Sequence, residues 1–229
     1  MKTIGLLGGT GWSSTITYYT LLNELVNQRL GGCHSAKIIL KSIDYHEINS
    51  TYGKDHEKTA QILRQELSGL VALEPDCAII CCNTLHKYYD MFKVDAHYNI
   101  PVFHAVELTA RYITDLKYKK VLLLATKFTL EDGFFAKTLE DHGINVIIPD
   151  EAQRNEMRAI HTDLILNKVT EQAKEYFSAL IRQYKDCDAV VLGCTEYPLV
   201  VNQNTSQLPI IDPVKIQTMH AVDFCLSEF

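Results

Sequence analysis

Short apolar runs alternate along the chain with longer segments in which apolar residues recur every three or four positions. An unbroken apolar run is typical of a strand covered on both faces, and the longer spacing is typical of a helix that buries one face. The runs predict strands over residues 3–7, 37–43, 77–81, 102–103, 120–124, 146–148, 189–192 and 210–211. The longer segments predict helices over residues 14–30, 56–73, 105–116 and 170–184, and a helical stretch, continuous or broken, over 151–168. This alternation predicts a mostly parallel α/β fold with right-handed crossovers.

Three segments of the first half recur in the second half in the same order. DCAIICCNT (76–84) resembles DAVVLGCTE (188–196), IPVFHAV (100–106) resembles LPIIDPV (208–214), and KTIGLLGGT (2–10) aligns with KKVLLLATK (119–127). The repeat predicts two similar α/β halves of roughly 110 residues each. We place them at residues 1–103 and 104–213, with Cys82 and Cys194 at equivalent strand ends.

Composition favours a protein that acts on a small molecule. The 229 residues are 47% hydrophobic and 22% charged, and the net charge of -6 comes without a run of Lys and Arg. We therefore expect neither nucleic acid nor a membrane as partner. The first apolar run is too short and too rich in glycine for a signal peptide or a spanning helix, so we expect a cytoplasmic protein. The seven cysteines, odd in number and irregularly spaced, are expected to be reduced thiols.

Cys82 and Cys194 are the candidate catalytic residues. Parallel sheets bind ligands beyond the carboxyl ends of their strands, so two facing halves would bring both thiols into one cleft. A thiol at a helix N-terminus is stabilised as the thiolate and can act as a base. Beside the two thiols, Asn83, Thr84 and Thr195 can supply N-cap hydrogen bonds or donors to a substrate carboxylate.

Two acid–base thiols on either side of a substrate suit one reaction in particular. One thiolate removes a proton from a carbon, and the opposite thiol delivers a proton to the other face. This is the chemistry of a racemase, and it needs no metal or organic cofactor. Backbone N–H groups and the polar side chains beside each thiol would stabilise the carbanion-like transition state.

The segments CCNTLH, LGCTEYPL and IGLLGGTGWSSTITYY resemble the aspartate/glutamate racemase family, whose members use a cysteine pair without pyridoxal phosphate. The resemblance covers essentially the whole chain. It implies two flavodoxin-like halves related by a pseudo-twofold axis, an active site in the cleft between them, a C-terminal helix over 214–229 that returns to the first half, and a homodimer. It also implies that Cys82 and Cys194 interconvert L- and D-aspartate or glutamate.

The same resemblance implies further substrate-binding residues. Asn83, Thr84 and Thr195 would hold the substrate beside the thiols. Thr126 and Thr129 fall where the family places threonines around the α-carboxylate.

Three further residues lie near the predicted site, and two of them keep two interpretations. Thr10, in the first glycine-rich loop, is expected to border the same cleft. His86 follows Cys82 by one helical turn, so it either faces the cleft or is a structural histidine. Glu196 either tunes the Cys194 thiol or favours the first turn of a helix.

The expected binding site for a side-chain carboxylate is incomplete. Such a carboxylate normally requires Arg or Lys. The loop over residues 44–56 contains no Arg, and its only basic groups are Lys54, His46 and His56. Arg154, Arg158 or Lys168 could replace it. A broad-specificity racemase of non-acidic amino acids therefore stays an alternative, as does a decarboxylase or isomerase of the same superfamily.

Two other classes of function are weighed against the racemase. In a cysteine hydrolase or transferase, Cys82 would be a nucleophile aided by His86, but a second thiol at Cys194 would have no purpose. A non-catalytic binding module would use a cleft between the halves without needing either thiol.

Metal and nucleotide sites are not expected. Cys77, Cys81 and Cys82 lie in or next to a strand, where side chains alternate in direction and cannot all ligate one zinc ion. The loop from Gly9 to Gly11 has Ser14 where a dinucleotide motif has its third glycine. We expect its glycines to let the backbone approach a small ligand, with Ser13 or Ser14 capping the next helix.

Overall fold

The computed structural model of the protein describes residues 1–166 and 168–227. Its elements in chain order are β1 (Ile4–Gly8), α1 (Trp12–Leu30), β2 (Ile38–Ser42), α2 (Tyr45–Thr51), α3 (His56–Val71), β3 (Cys77–Ile80), α4 (Leu85–Asp90), β4 (Val102–Phe103), α5 (Ala105–Asp115), β5 (Lys120–Leu124), α6 (Lys127–Asp132), α7 (Phe134–Asp141), β6 (Asn145–Ile147), α8 (Glu151–Leu164), α9 (Glu171–Gln183), β7 (Ala189–Leu192), a 3-10 helix (Tyr197–Leu199), β8 (Ile210–Ile211) and α10 (Pro213–Leu226).

The chain divides into two compact units. The first contains Met1–Ala105 and the segment from Val214 on, and the second contains Val106–Pro213. Each has a four-stranded sheet, with the order β2-β1-β3-β4 in the first unit and β6-β5-β7-β8 in the second. All the strand pairs are parallel. This order is that of flavodoxin-like sheets, so the predicted α/β fold with two flavodoxin-like halves is confirmed.

The sequence repeat corresponds to repeated backbone contacts. The Asp76 carboxylate accepts the backbone N–H of Thr3 at 2.5 Å, and the Asp188 carboxylate accepts those of Lys119 and Lys120 at 2.7 and 2.9 Å. In each unit the aspartate stands just before the third strand of the sheet, β3 or β7. It binds the backbone at the start of the neighbouring strand, β1 or β5. This shared requirement explains why both repeats begin with Asp.

Apolar residues of the helices and strands form the core of each unit. In the first unit, Leu63, Leu67 and Leu70 of α3 are fully buried, as their common face predicts. In the second unit, β5 and β7 are the buried central strands, and Phe177 of α9 packs into the core with them. None of the helices in the described residues combines the length and the apolar character needed to cross a membrane.

The long predicted helices are confirmed, but short ones were missed. The stretch predicted over 151–168 is a continuous helix that ends at Leu164, and Asp150 and Gln153 form a capping box at its start. The helices α2, α4, α6 and α7 have only six to eight residues. Segments of one or two turns carry too few apolar positions to show a helical period.

Candidate active site

Cys82 lies in the first unit, in the loop between β3 and α4. The preceding Cys81 is 1% exposed, and burial together with the neighbouring Cys82 raises the pKa of its thiol, which makes it an inert core residue. Cys82 is half-buried and packs against the core cluster that contains Leu63 and Ile80. Asn83 and Thr84 follow it and are buried. Thr84 occupies the N-cap position of α4, but its side chain makes no capping hydrogen bond there.

Two tyrosines that the sequence did not point to lie near Cys82. Burial, followed by the influence of Cys82, raises the pKa of both Tyr45 and Tyr52. The Tyr52 hydroxyl forms a hydrogen bond with the Thr84 side chain. These phenols stay neutral at physiological pH, so they can donate hydrogen bonds near the thiol but do not supply a charge.

The contacts of His86 agree with the structural one of its two interpretations. The ring is fully buried, with Nδ1 3.0 Å from the carbonyl oxygen of Cys82 and 3.2 Å from that of Asn83, while Nε2 accepts the backbone N–H of Ala105 at 3.2 Å. Burial and the adjacent His104 lower the pKa of His86 to about 3. Since both nitrogens contact backbone groups, these contacts favour a structural role at the Cys82 loop over that of the base that a cysteine hydrolase needs.

The first glycine-rich loop lies at the end of β1. Gly9 has φ of +94°, and a Cβ there would come within 2.2 Å of the carbonyl oxygen of Ile43, so this position requires glycine. The predicted serine cap of α1 is wrong: the helix begins at Trp12 after Gly11, without a side-chain cap. Thr15 serves the loop instead, because its hydroxyl accepts the Gly9 N–H at 2.9 Å.

Thr10 has an unusual environment in this loop. Its hydroxyl oxygen is buried and has no hydrogen-bond partner among the described residues. A buried hydroxyl without a partner costs free energy. A polar group of a ligand would satisfy it, which agrees with the substrate-binding role expected for Thr10.

Cys194 lies in the second unit, directly after β7. A Cβ on the preceding Gly193 would be 3.0 Å from the Cβ of Ala125, so a larger residue would require the neighbouring atoms to shift. The Cys194 thiol donates a hydrogen bond to Oε2 of Glu196 at 3.0 Å, and the hydroxyl of Thr195 donates to the same oxygen at 2.9 Å. The Cys194 side chain is thereby oriented by an acidic group two residues further on.

The Glu196 carboxylate has a third polar neighbour, His161, whose Nε2 lies 3.7 Å from Oε2. Burial alone would raise the pKa of Glu196, but His161 and the hydrogen bonds from Cys194 and Thr195 outweigh it and lower the pKa to about 2. Glu196 is therefore ionised at physiological pH. Of its two interpretations, the one in which it acts on the thiol agrees with these contacts.

The sequence analysis did not identify His161. Only one signal could have found it: on α8, a histidine stands on the same face as Met157 and Leu164, which are buried. A polar residue within an apolar stripe usually has a specific partner. That partner is Glu196, on a loop more than 30 residues further along the chain.

A cavity of about 370 Å³ opens in the second unit beside this histidine. Its walls contain Thr126, Lys127, Phe128, Glu131, Arg158 and His161. Thr126 caps α6, and its hydroxyl lies 2.9 Å from that of Thr129, which is buried. His161 therefore shares the cavity wall with Thr126 and also contacts Glu196, which holds the Cys194 thiol.

Lys168 does not line this cavity. Its side chain is 63% exposed, and its Nζ lies 3.7 Å from Asp163. A substrate-binding role for Lys168 therefore stays a prediction from the sequence.

One cluster in the described residues offers a set of metal-binding atoms. His161, Cys194 and Glu196 each present one such atom, all within 4.8 Å of one another. Nitrogen, sulfur and carboxylate oxygen are all ligands of zinc. The hydrogen bonds to Glu196 account for this arrangement without requiring an ion.

Comparison with known proteins identifies the family. A family model described as Asp/Glu/Hydantoin racemase matches residues 7–221. The broad specificity amino-acid racemase RacX of Bacillus subtilis is 25% identical, over 91% of this chain and 92% of that protein.

Solved structures agree with this match. The crystal structure of a candidate Asp/Glu racemase from Yersinia pestis is 35% identical, covers 99% of this chain and 100% of its own, and has a TM-score of 0.88. That of an aspartate racemase homologue from Pyrococcus horikoshii is 28% identical, covers 98% and 99%, and has a TM-score of 0.87. The resemblance noted in the sequence is thus confirmed. The chain belongs to the Asp/Glu/hydantoin racemase family, whose racemases are isomerases.

Proposed function

We propose that this racemase interconverts the L and D enantiomers of aspartate or glutamate by moving the Cα proton between Cys82 and Cys194, without pyridoxal phosphate or a metal. The observation that carries the proposal is the equivalent place of the two thiols. Cys82 follows β3 and Cys194 follows β7, and each of these strands is third in the order of its sheet. Ligands of parallel sheets bind at these strand ends.

The two thiols have opposite protonation states at the start of a turnover. We assign Cys194 as the proton donor in one direction, because its S–H is engaged with Glu196. The Cys82 thiolate removes the Cα proton, the electron pair of that C–H bond stays on the carbon as a carbanion, and Cys194 protonates the opposite face. For the reverse direction the roles are exchanged.

Glu196 orients the proton of Cys194 but does not carry protons itself. With a pKa of about 2, its carboxylate is a poor base at neutral pH. It fixes the direction of the S–H bond, and Nε2 of His161 lies 3.7 Å from the same carboxylate oxygen. We therefore expect the pH dependence of the racemisation rate to show no titration of Glu196 at or above neutral pH.

The substrate is held by hydroxyl and amide groups. We assign Asn83 and Thr84 in the first unit, with Thr126, Thr129 and Thr195 in the second, to the substrate's α-carboxylate and amino group. In the first unit Thr10 also contributes, since its buried hydroxyl lacks a partner among the described residues. Hydrogen bonds from such donors stabilise the charge that develops on the carboxylate as the Cα proton leaves.

The test is proton NMR in D₂O with separate L- and D-amino acids, including aspartate, glutamate, asparagine and alanine. Wild type should lose the Cα–H signal and form the opposite enantiomer. Cys82→Ser and Cys194→Ser should each lower the racemisation rate by about 100- to 10,000-fold, the usual contribution of a general acid or base. Cys33→Ser, which changes an exposed thiol, is the matched control and should behave as wild type.

Three results of this test would be informative in different ways. Full activity in either active-site variant would contradict the two-thiol mechanism. Equal rates for acidic and neutral amino acids would favour the broad specificity named for the Bacillus subtilis relative. Absence of exchange with every amino acid tested would refute the proposed reaction.

We also propose a homodimer, formed through α1. Three large apolar side chains on one face of this helix are exposed: Trp12 (70%), Ile16 (54%) and Tyr19 (51%). Their spacing places them on neighbouring turns, as in a helix that packs against a partner. Light scattering should give twice the chain mass for wild type and the monomer mass for Ile16→Glu. A monomeric wild type would contradict this proposal.

A cytoplasmic location is likewise a proposal. None of the seven cysteines, all of which lie in described residues, forms a disulfide. Cysteines remain as thiols in a reducing compartment. Cell fractionation would test the location.

A further inference from the structure

The charges around the cavity of the second unit do not balance. The acidic side chain in its wall, Glu131, lies 3.7 Å from Nζ of Lys127 and 3.9 Å from the guanidinium of Arg154. Lys127 also donates a hydrogen bond to Asn155 at 2.8 Å. Both cations beside Glu131 are therefore engaged, and the carboxylate is neutralised.

Arg158 is the unbalanced charge. It stands on α8 in the wall of the cavity, and within residues 1–166 and 168–227 its guanidinium has no ion pair or hydrogen bond. Arginine presents a planar fork of N–H donors that matches a carboxylate in a two-pronged contact. Its charge is therefore available to an anion that enters the cavity.

The cavity also supplies what the rest of an acidic amino acid needs. The Phe128 ring forms an apolar wall suited to methylene groups, and Thr126 provides a hydroxyl. His161, which is close to Glu196 and through it to Cys194, also lines the cavity. A volume of about 370 Å³ exceeds that of an amino acid with four or five carbons.

We propose that Arg158 binds the side-chain carboxylate of a dicarboxylic amino acid in this cavity, and that this contact sets the substrate class of the enzyme. The inference rests on the proposed racemase function for the identity of the reaction, but not for the binding of the carboxylate. It supplies an arginine, which the loop over residues 44–56 does not contain. Of the candidates considered from the sequence, Arg154 is engaged with Glu131 and with the carbonyl oxygen of Pro149.

The first test measures turnover. Arg158→Gln should lower kcat/KM for L-aspartate or L-glutamate by about 10- to 100-fold, the loss expected for one charge-assisted contact. Arg158→Lys should recover part of this loss, because it keeps the charge but not the two-pronged geometry. Arg111→Gln, an exposed arginine of α5, is the matched control and should leave the value unchanged.

The second test measures binding without turnover. Succinate has two carboxylates but no amino group and no chiral Cα proton, so calorimetry with this probe does not depend on racemisation. Wild type and Arg111→Gln should bind succinate, and Arg158→Gln should bind it about 10- to 100-fold more weakly.

The two tests separate the inference from the proposed function. If wild type racemises aspartate while Arg158→Gln matches it in turnover and in succinate binding, the inference is overturned and the function stands. If wild type racemises no amino acid but loses succinate binding on Arg158→Gln, the carboxylate subsite stands and the function fails. A wild type that does not bind succinate overturns the inference. Because Arg158 is exposed, the variant should fold, and circular dichroism checks this.

Discussion

Replacing Glu196 by Gln should make the stability of the protein less sensitive to acid. The pKa of this carboxyl is about 2 in the folded protein against an ordinary value of 4.5. Folding thus favours the ionised form, and a proton binds more readily to the unfolded chain. The stabilisation is complete above the unfolded pKa and is lost as the pH falls through the folded pKa.

The size of this effect follows from the two pKa values. Their difference corresponds to about 3 kcal/mol of stability at neutral pH. The side chain is only 13% exposed, so solvent screening removes little of it. Between pH 6 and pH 3 the linkage relation predicts that about 2 kcal/mol of this contribution disappears. Glu196→Gln cannot ionise, so it should lack this part of the acid sensitivity.

The assay is urea unfolding of wild type and Glu196→Gln at several pH values from 6 to 3. The free energy of unfolding of wild type should fall more steeply than that of the variant, by about 2 kcal/mol over this range. Glu140→Gln, which changes an exposed glutamate of α7, is the matched control and should keep the wild-type slope. Parallel curves for wild type and Glu196→Gln would refute the reasoning about the Cys194–Glu196–His161 contacts.

Three further substitutions test the supports of the site by urea unfolding at pH 7. His86→Leu leaves the carbonyl of Cys82 and the N–H of Ala105 without their buried partner and should cost about 2–4 kcal/mol; a loss below about 1 kcal/mol would contradict its structural role. Gly193→Ala forces a methyl group against Ala125 and should cost about 1–3 kcal/mol, whereas an unchanged midpoint would show that the strand end has room. Asp150→Ala removes the cap of α8 and should lower the free energy of unfolding by about 1 kcal/mol. An unchanged free energy of unfolding would contradict the stabilising role of the capping box.

His86 and His161 show that the position of a histidine along the chain does not reveal its contacts. His86 stands one turn after a candidate catalytic thiol, so its position suggested chemistry, yet its two nitrogens hold backbone groups. His161 lies in the last turn of α8 and was not predicted as a site residue, yet it lies beside the glutamate that accepts the hydrogen bond of the Cys194 thiol. Proximity along the chain therefore left the role of His86 open and gave no indication of His161.

The sequence by itself determined the α/β class, the two similar halves and the strand ends that carry Cys82 and Cys194. These features are readable because strand burial and helical period are local patterns, and because the repeat displays each pattern twice. The short helices were not readable, since one or two turns leave too little periodicity. Cys82 and Cys194 were predicted as site residues because the strands that precede them were predicted.

Only the tertiary structure decided which side chains from separate elements share an environment. The contact of His161 with Glu196, the bond of Tyr52 to Thr84 and the pairing of Arg154 with Glu131 all join residues of separate elements. Whether a buried polar group is satisfied depends on such partners, and the balance between desolvation and hydrogen bonding then sets its pKa. No local pattern encodes that balance, because the packing of whole helices and loops creates it.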